Sequence, residues 1–371
     1  MKILQVIDAL AMGGAENLVF QLSTEYKRLG HDVTVLALNK NRGEVLDKKL
    51  REEGIVPRYV SDSANLHNPI FIYRIIPYLA SYDIIHVHLF PALYWVGLAN
   101  LLSYRKPLIY TEHSTYNKRR SSKVLQLIDK FVYKNCYKRI VSCSEDTLKS
   151  FKKTFPGIEI TNIDNGVNIS AFTNASPIDR TLLGVPKDSF LLTMVASFRY
   201  PKRQDTLVKS LRYMDEKVHL IFVGDGETID NVKALAKEEK VKDRVHFLGI
   251  RSDVPNILKT SDVVLMSSEY EGLSLSSIEG MASGKPFLAS NVKGLKEIVE
   301  GHGLLFDVNS PEGLAIIVNR LFTTPDYYNQ IATQCSQRAH SFDIKEAASK
   351  YIDIYSKYII EYDENSIYSK R

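Results

Sequence analysis

The chain has 371 residues with a net charge of +5, 44% apolar and 25% charged residues, a composition ordinary for a globular protein and a length that suits two cores better than one. No stretch reads as a membrane span, and the apolar start from Met1 to Met12 is broken by Asp8 and runs into Gly13-Gly14 without a basic leader or small-residue cleavage site, so it reads as a first strand. Three cysteines, Cys136, Cys143 and Cys335, form no Cys-x-x-Cys pair or even set, and the nine histidines show no helical metal-ligand spacing; a disulfide scaffold and a metal centre are not expected, and a cytoplasmic location is.

Met1 to Ile7 is a β-rich run, Gly13 to Glu16 a turn, and Leu18 to Leu29 a helical pattern closed by Gly30. Val33 to Leu38 is the next strand, which gives a βαβ start and a parallel sheet. Further strands are expected over Asp83 to His88, Pro107 to Thr111 and Arg139 to Cys143, alternating with helices over Ala92 to Leu102, Val124 to Cys136 and Glu145 to Phe155. This is a doubly wound α/β domain, expected over residues 1–175. Asn174 to Pro177 and Gly184 to Pro186 read as a linker region. A second α/β series follows over 176–342, with strands from Phe190 to Ala196, His219 to Val223, Val245 to Leu248, Val263 to Met266 and Pro286 to Ala289. Asp343 to Tyr362, with Ile344, Ala347, Tyr351, Ile354, Tyr355 and Tyr358 at helical spacing, is a long amphipathic helix.

The charge is uneven. Before position 176 there are 23 basic and 16 acidic residues, so that part carries +7 and the rest −2. Arg119, Arg120, Lys123, Lys130, Lys134, Lys138 and Arg139 form either a solvated helix face or a surface for an anionic membrane or a diphosphate-bearing acceptor. Nucleic acid is not expected as a partner.

The chemistry concentrates between Ser267 and Ser290. A buried strand ends near Ser267, Gly272 opens a tight turn, and Leu275, Ile278, Met281 and Ala282 recur at helical spacing up to Gly284 and Pro286, with Ser274 either the N-cap or in the first helical turn. The first amides of such a helix, around Gly272, Leu273 and Ser274, suit a phosphate. Glu271 lies just before the helix and Glu279 about five residues inside it, roughly 7–8 Å along the axis. Ionised carboxylates accept hydrogen bonds from paired sugar hydroxyls, so an anion site bracketed by two acids fits a sugar–diphosphate–ribose molecule.

The Glu-x7-Glu spacing from Glu271 to Glu279, with Glu-Gly-Leu-Ser after the strand and Gly284-Lys-Pro286 closing the helix, resembles the retaining glycosyltransferases of family 4. Matches to that family extend from Gly13 to about Phe342. The resemblance implies the GT-B fold, two doubly wound Rossmann-like domains facing across a cleft, with the final helix, about 343–362, crossing back to the first domain. It implies that Gly13, Gly14 and Glu16 face the donor's sugar and phosphates, and that His113, in Thr111-Glu-His113, lies beside the transferred sugar. His88 falls on the acceptor side, although packing accounts for at least one of His86 and His88. Lys202 matches the lysine that grips the diphosphate. At the family's arginine position this chain has Ser197, and either Arg199 or Arg203 takes its place. Gly249 and Arg251 pass the nucleobase, Glu271 contacts hydroxyls of the transferred sugar, and Glu279 contacts the ribose.

The expectation is therefore a metal-independent hexosyltransferase that uses a nucleoside-diphosphate sugar, UDP favoured over GDP, and a saccharide or lipid-linked acceptor at the inner membrane face. Two other classes stay open: a GT-B nucleotide-sugar epimerase, and a non-catalytic sugar-nucleotide-binding partner of a polysaccharide assembly complex.

Overall fold

A computed structural model describes residues 1–11, 13–40, 44–62, 65–114 and 118–368, with the side chains of 118–119 and 365–368 outside the description. The chain forms two units, Met1–Gly166 with Ile344–Arg371, and Val167–Asp343.

The first unit runs β1 (Lys2–Ala9), α1 (Gly14–Arg28), β2 (Asp32–Asn39), α2 (Glu44–Glu52), β3 (Arg58–Ser61), α3 (Phe71–Leu79), β4 (Ile84–His88), α4 (Ala92–Leu101), β5 (Leu108–Glu112), α5 (Lys123–Cys136), β6 (Arg139–Ser142), α6 (Glu145–Thr154) and β7 (Ile160–Asn162). The second runs α7 (Ile169–Thr173), β8 (Phe190–Val195), α8 (Gln204–Ser210), β9 (Val218–Val223), α9 (Ile229–Glu238), β10 (Val245–Phe247), α10 (Val254–Thr260), β11 (Val263–Met266), α11 (Leu275–Ala282), β12 (Phe287–Ser290), α12 (Lys296–Val299), β13 (Leu304–Phe306), α13 (Pro311–Thr323) and α14 (Pro325–Ala339). The last helix, α15 (Ile344–Tyr368), returns to the first unit.

Both sheets are parallel throughout, in the orders β3-β2-β1-β4-β5-β6-β7 and β10-β9-β8-β11-β12-β13. The strand order reverses once in each unit, at β1/β4 and at β8/β11, and such reversals open a crevice at the carboxyl ends of the strands where ligands bind. Strands β1, β4, β5, β9 and β11 were legible as apolar runs because both of their faces are covered. The short edge strands β3, β7 and β13 are half-exposed and carry no such run.

The expected boundary at 175 falls earlier, between Gly166 and Val167. Val167 bridges Asp343, its N–H donates to the Phe342 carbonyl (2.9 Å), and Ile169 and Phe172 enter the core of the second unit. The Asn174–Pro177 segment belongs to that unit: Asn256 donates to the Ser176 carbonyl (2.9 Å) and the Ile178 N–H to Thr260 Oγ1 (2.7 Å). In the first unit Ala347, Ala348, Tyr351 and Tyr355 of α15 pack on Ile3, Leu22, Tyr26 and Ile109, so a stripe of one helix covers one face of the sheet. Among the described residues no helix is long and apolar enough to cross a membrane.

Candidate functional site

In the second unit, the loop after β8 and the loop after β11 meet at the β8/β11 reversal. The Lys202 ammonium pairs with Glu271 Oε1, and both side chains are nearly buried, at 13% and 15% exposure. Ser268 Oγ donates to the same Glu271 oxygen (2.6 Å), and Ser267 Oγ to the Lys202 carbonyl (2.8 Å). The Glu269 N–H reaches the Pro201 carbonyl (2.9 Å), which fastens the two loops together through the backbone. Ser267 and Ser268 lie within the stretch the sequence singles out, but nothing in the spacing marks them as supports: Ser267 acts on a segment 65 residues away, and Ser268 on a Glu271 that is itself placed by that segment.

Of the two places open to Ser274 at the start of α11, it takes the N-cap, and its Oγ accepts from the Ser277 N–H (3.4 Å). Glu279 is half-buried on it. Gly280 lets α11 settle on the sheet, since a Cβ there would stand 2.7 Å from the Phe287 ring and 2.8 Å from Val264. Gly272 and Leu273 occupy the turn before the cap.

The two arginines offered for the Ser197 position differ in their partners. Arg203 caps α8 and is taken up by two carboxylates, with Nε on Asp205 (2.9 Å) and Nη1 on Glu269 (2.6 Å). Arg199 is exposed and donates to Ser197 Oγ (3.1 Å); no carboxylate among the described residues pairs with it. Arg251 is locked in a fork on Asp253 (2.8 and 2.6 Å), while the Gly249 carbonyl holds the Gly224 N–H (2.8 Å). A cavity of about 480 Å³ has Arg199, Tyr200, Arg203, Thr228 and Asn231 in its walls; Lys202, Glu271 and Glu279 lie outside it.

In the first unit, the carboxyl ends of β1, β4 and β5 gather a second set. Gly13 caps α1, and a Cβ there would lie 2.4 Å from Glu16 Oε2, so the acid folds back over the glycine turn with Gly14 beside it. Burial raises the Glu16 pKa. Asp8, read from sequence only as a break in an apolar run, accepts from the Ala92 N–H at the start of α4 (2.9 Å). Burial pushes its pKa up to about 7 against that hydrogen bond, with the Glu16 charge adding to the rise. The signal for Asp8 was a lone carboxylate at the end of a buried strand.

His113 follows β5, and burial lowers its pKa to about 4. Its Nε2 lies 3.0 Å from His88 Nδ1, and His88 Nε2 lies 2.7 Å from Gln5 Oε1. His88 is fully buried with both ring nitrogens engaged, which removes it from contact with an acceptor and makes it a neighbour of His113 instead. His86 bonds Thr111 Oγ1 (2.7 Å) and the Tyr355 hydroxyl (2.6 Å), a packing role.

The basic stretch divides. Arg120 is buried on Glu112, Arg139 bonds Glu159 (2.8 Å) and the Tyr358 hydroxyl (3.0 Å), and Arg119 lies outside the described side chains. Lys123, Lys130, Lys134 and Lys138 are exposed. Among the described residues no group of three or more His, Cys, Asp or Glu is arranged to hold a metal ion.

Residues 12–171 match the family model described as Glycosyltransferase Family 4, and residues 176–338 match that of Glycosyl transferases group 1. The chain is 25% identical over 356 residues to a putative glycosyltransferase of Bacillus subtilis, EpsD, covering 90% of this chain and 91% of that one. It is 26% identical over 320 residues, 82% of each chain, to the UDP-Gal:α-D-GlcNAc-diphosphoundecaprenol α-1,3-galactosyltransferase of Escherichia coli. The crystal structure of Anabaena HepE in complex with UDP and glucose superposes with a TM-score of 0.82 at 23% identity, covering 96% of this chain and 100% of that one, so the two share a fold.

Proposed function

The chain belongs to the family 4 glycosyltransferases, and on that premise we propose that it moves a hexose or N-acetylhexosamine from a UDP-sugar to a saccharide acceptor in the synthesis of a bacterial surface polysaccharide. Transfer in this reading retains the anomeric configuration and needs no metal. The observation that carries it is the join of Lys202 to Glu271 at the β8/β11 reversal, beside the capped start of α11 with Glu279 one turn inside.

Lys202, the α11 amides and Arg199 stabilise the departing diphosphate as its charge develops. Glu279 takes the ribose hydroxyls, and Glu271 and His113 take hydroxyls of the transferred sugar; Arg251, held by Asp253, leaves the base to backbone groups around Gly249. Gly13, Gly14 and Glu16 form the turn toward the sugar and phosphates. The acceptor hydroxyl attacks the anomeric carbon on the face from which the phosphate leaves, the C–O bond to phosphate breaks, and the hydroxyl proton passes to the departing phosphate oxygen. The choice of UDP draws on the galactosyltransferase relative and on the UDP complex of the shared fold.

A thermal-shift series with UDP, GDP, ADP and CMP in the presence of EDTA tests the donor site. UDP is expected to raise the melting temperature by linkage, with Glu279→Ala removing the shift and Lys202→Ala lowering turnover more than affinity. Stabilisation by none of the four removes the donor site, and stabilisation by UDP without transfer or epimerisation makes the chain a binding partner of an assembly complex.

The same reading puts the enzyme at the cytoplasmic face of the membrane, with α5 as its contact. Val124, Leu127, Ile128 and Phe131 share one stripe of α5 and are all exposed, Leu127 at 69%. Lys123, Lys130 and Lys134 border that stripe, and the one acid of the helix, Asp129, is turned inward on Tyr94. An apolar stripe edged by lysines fits an anionic bilayer surface. Flotation with vesicles containing phosphatidylglycerol is expected to carry the protein, and Phe131→Glu to abolish this while leaving UDP binding intact; equal flotation of both removes α5 from the contact.

A further inference from the structure

The first unit contains a line of side chains behind His113, running through His88 and Gln5 to α15, none of which takes part in the proposed transfer. It starts on α15, where the Tyr355 hydroxyl lies 2.6 Å from His86 Nδ1, 3.1 Å from the Tyr26 hydroxyl and 3.4 Å from Gln5 Nε2. Gln5 is completely buried in β1, and its Oε1 lies 2.7 Å from His88 Nε2. His88, completely buried in β4, presents Nδ1 to His113 Nε2 at 3.0 Å.

The chemistry of each atom fixes the direction of the line. An amide oxygen accepts only, so His88 donates from Nε2. A neutral imidazole carries one proton, which leaves His88 Nδ1 as an acceptor, and His113 must then donate from Nε2. We propose that Gln5 and His88 are positioning residues that hold His113 with its proton on Nε2, so that His113 Nδ1 is kept as a hydrogen-bond acceptor for a hydroxyl of the transferred sugar. The role of His113 toward sugar rests on the function proposed above; the state of its ring does not.

Burial supports the assignment, because it keeps both histidines uncharged near neutral pH and so keeps each to one proton. The ionisable groups around the line are His86 on β4, Tyr26 on α1, and Tyr351 and Tyr355 on α15, and burial acts on each toward its neutral form. A protonated His113 would offer donors at both nitrogens and lose the acceptor.

Two-bond proton–nitrogen correlation of the whole protein labelled with 15N-histidine reads the proton position directly, with His113→Asn identifying the His113 signals. The wild type is expected to show His113 as the Nε2–H form. Gln5→Leu, close in size but without an acceptor, is expected to mix the two forms and lower kcat about tenfold at unchanged UDP affinity. Gln5→Glu keeps an acceptor oxygen and is expected to restore the Nε2–H form. A wild-type His113 with its proton on Nδ1, or a Gln5→Leu protein whose His113 signals do not change, overturns the proposal. The spectrum of the wild type decides even where Gln5→Leu fails to fold, and it needs no donor or acceptor. Loss of the proposed UDP-sugar donor would instead appear as absent UDP binding with the Nε2–H form intact.

Discussion

At the carboxyl end of β1 one carboxyl group, Asp8, sits half out of water with a single backbone donor, the Ala92 N–H. Its pKa rises from 3.8 to about 7 on folding, so between those values the folded protein holds a proton that the unfolded chain has released. Stability from this group is complete below pH 4 and falls as pH rises toward 7, by roughly 2–4 kcal/mol. His113 acts in the opposite direction, since its lowered pKa costs stability as pH falls from about 6.5 toward 4. The two contributions separate by mutation. Asp8→Asn keeps an acceptor for the Ala92 N–H and removes the titration, so it is expected to match the wild type near pH 4 and to exceed it at pH 8. Urea unfolding at both values measures this, and an equal offset at both would assign the titration elsewhere. A buried Glu112 beside Arg120 illustrates a different economy of charge: here the pair must stay whole, because removal of one partner strands the other inside.

The loop between β12 and α12 shapes the site without supplying a reacting group. Gly294 has φ +88, and a Cβ on it would lie 2.0 Å from the Glu271 carbonyl oxygen, while the Glu271 N–H points at the Lys293 carbonyl (3.4 Å). Gly301 has φ +78, and a Cβ on it would meet nothing within 4 Å. Gly301→Ala therefore carries only the left-handed cost, about 1–2 kcal/mol, whereas Gly294→Ala must also move the backbone of Glu271. Both variants are expected to melt lower, and only Gly294→Ala to lose transfer, by on the order of tenfold to a hundredfold, as a side-by-side assay at 20 °C would read. Equal activity of the two would mean that the loop yields without moving Glu271. The contrast explains what was legible in the sequence. Ser274, Glu271 and Glu279 stand within one strand–turn–helix, and local spacing places them. Gly294, Ser268 and the hold of Lys202 on Glu271 depend on segments that meet only after folding, and Asp8 became chemical only through burial. The family resemblance puts His88 on the acceptor side, whereas its enclosure between Gln5 and His113 is not visible in sequence.

Each unit has its own buried cores and its own strand-order reversal. The chain leaves the first unit at Gly166 and re-enters it at Ile344, so α15 belongs to the fold of a sheet whose strands ended long before it. The stripe of Tyr351, Tyr355 and Tyr358 shows an amphipathic helix, and the family resemblance alone sends it back to the first unit, as observed; the contacts that hold it there, with Tyr26 and Ile3, lie more than 300 positions away. Two cores imply that unfolding is not a single two-state step. The donor site proposed here draws on β8, β11 and α11, all in Val167–Asp343, so a ligand there stabilises that unit first. UDP at a hundred times its Kd adds about 2.7 kcal/mol, or on the order of 5–10 °C for a unit of this size. Tyr355→Phe removes the hydroxyl that joins Tyr26, His86 and Gln5 and weakens the first unit alone. Scanning calorimetry is expected to resolve two transitions, UDP raising one and Tyr355→Phe lowering the other. If a single transition moved equally under both, the two units would unfold as one body, and donor binding and the α15 network would be energetically linked.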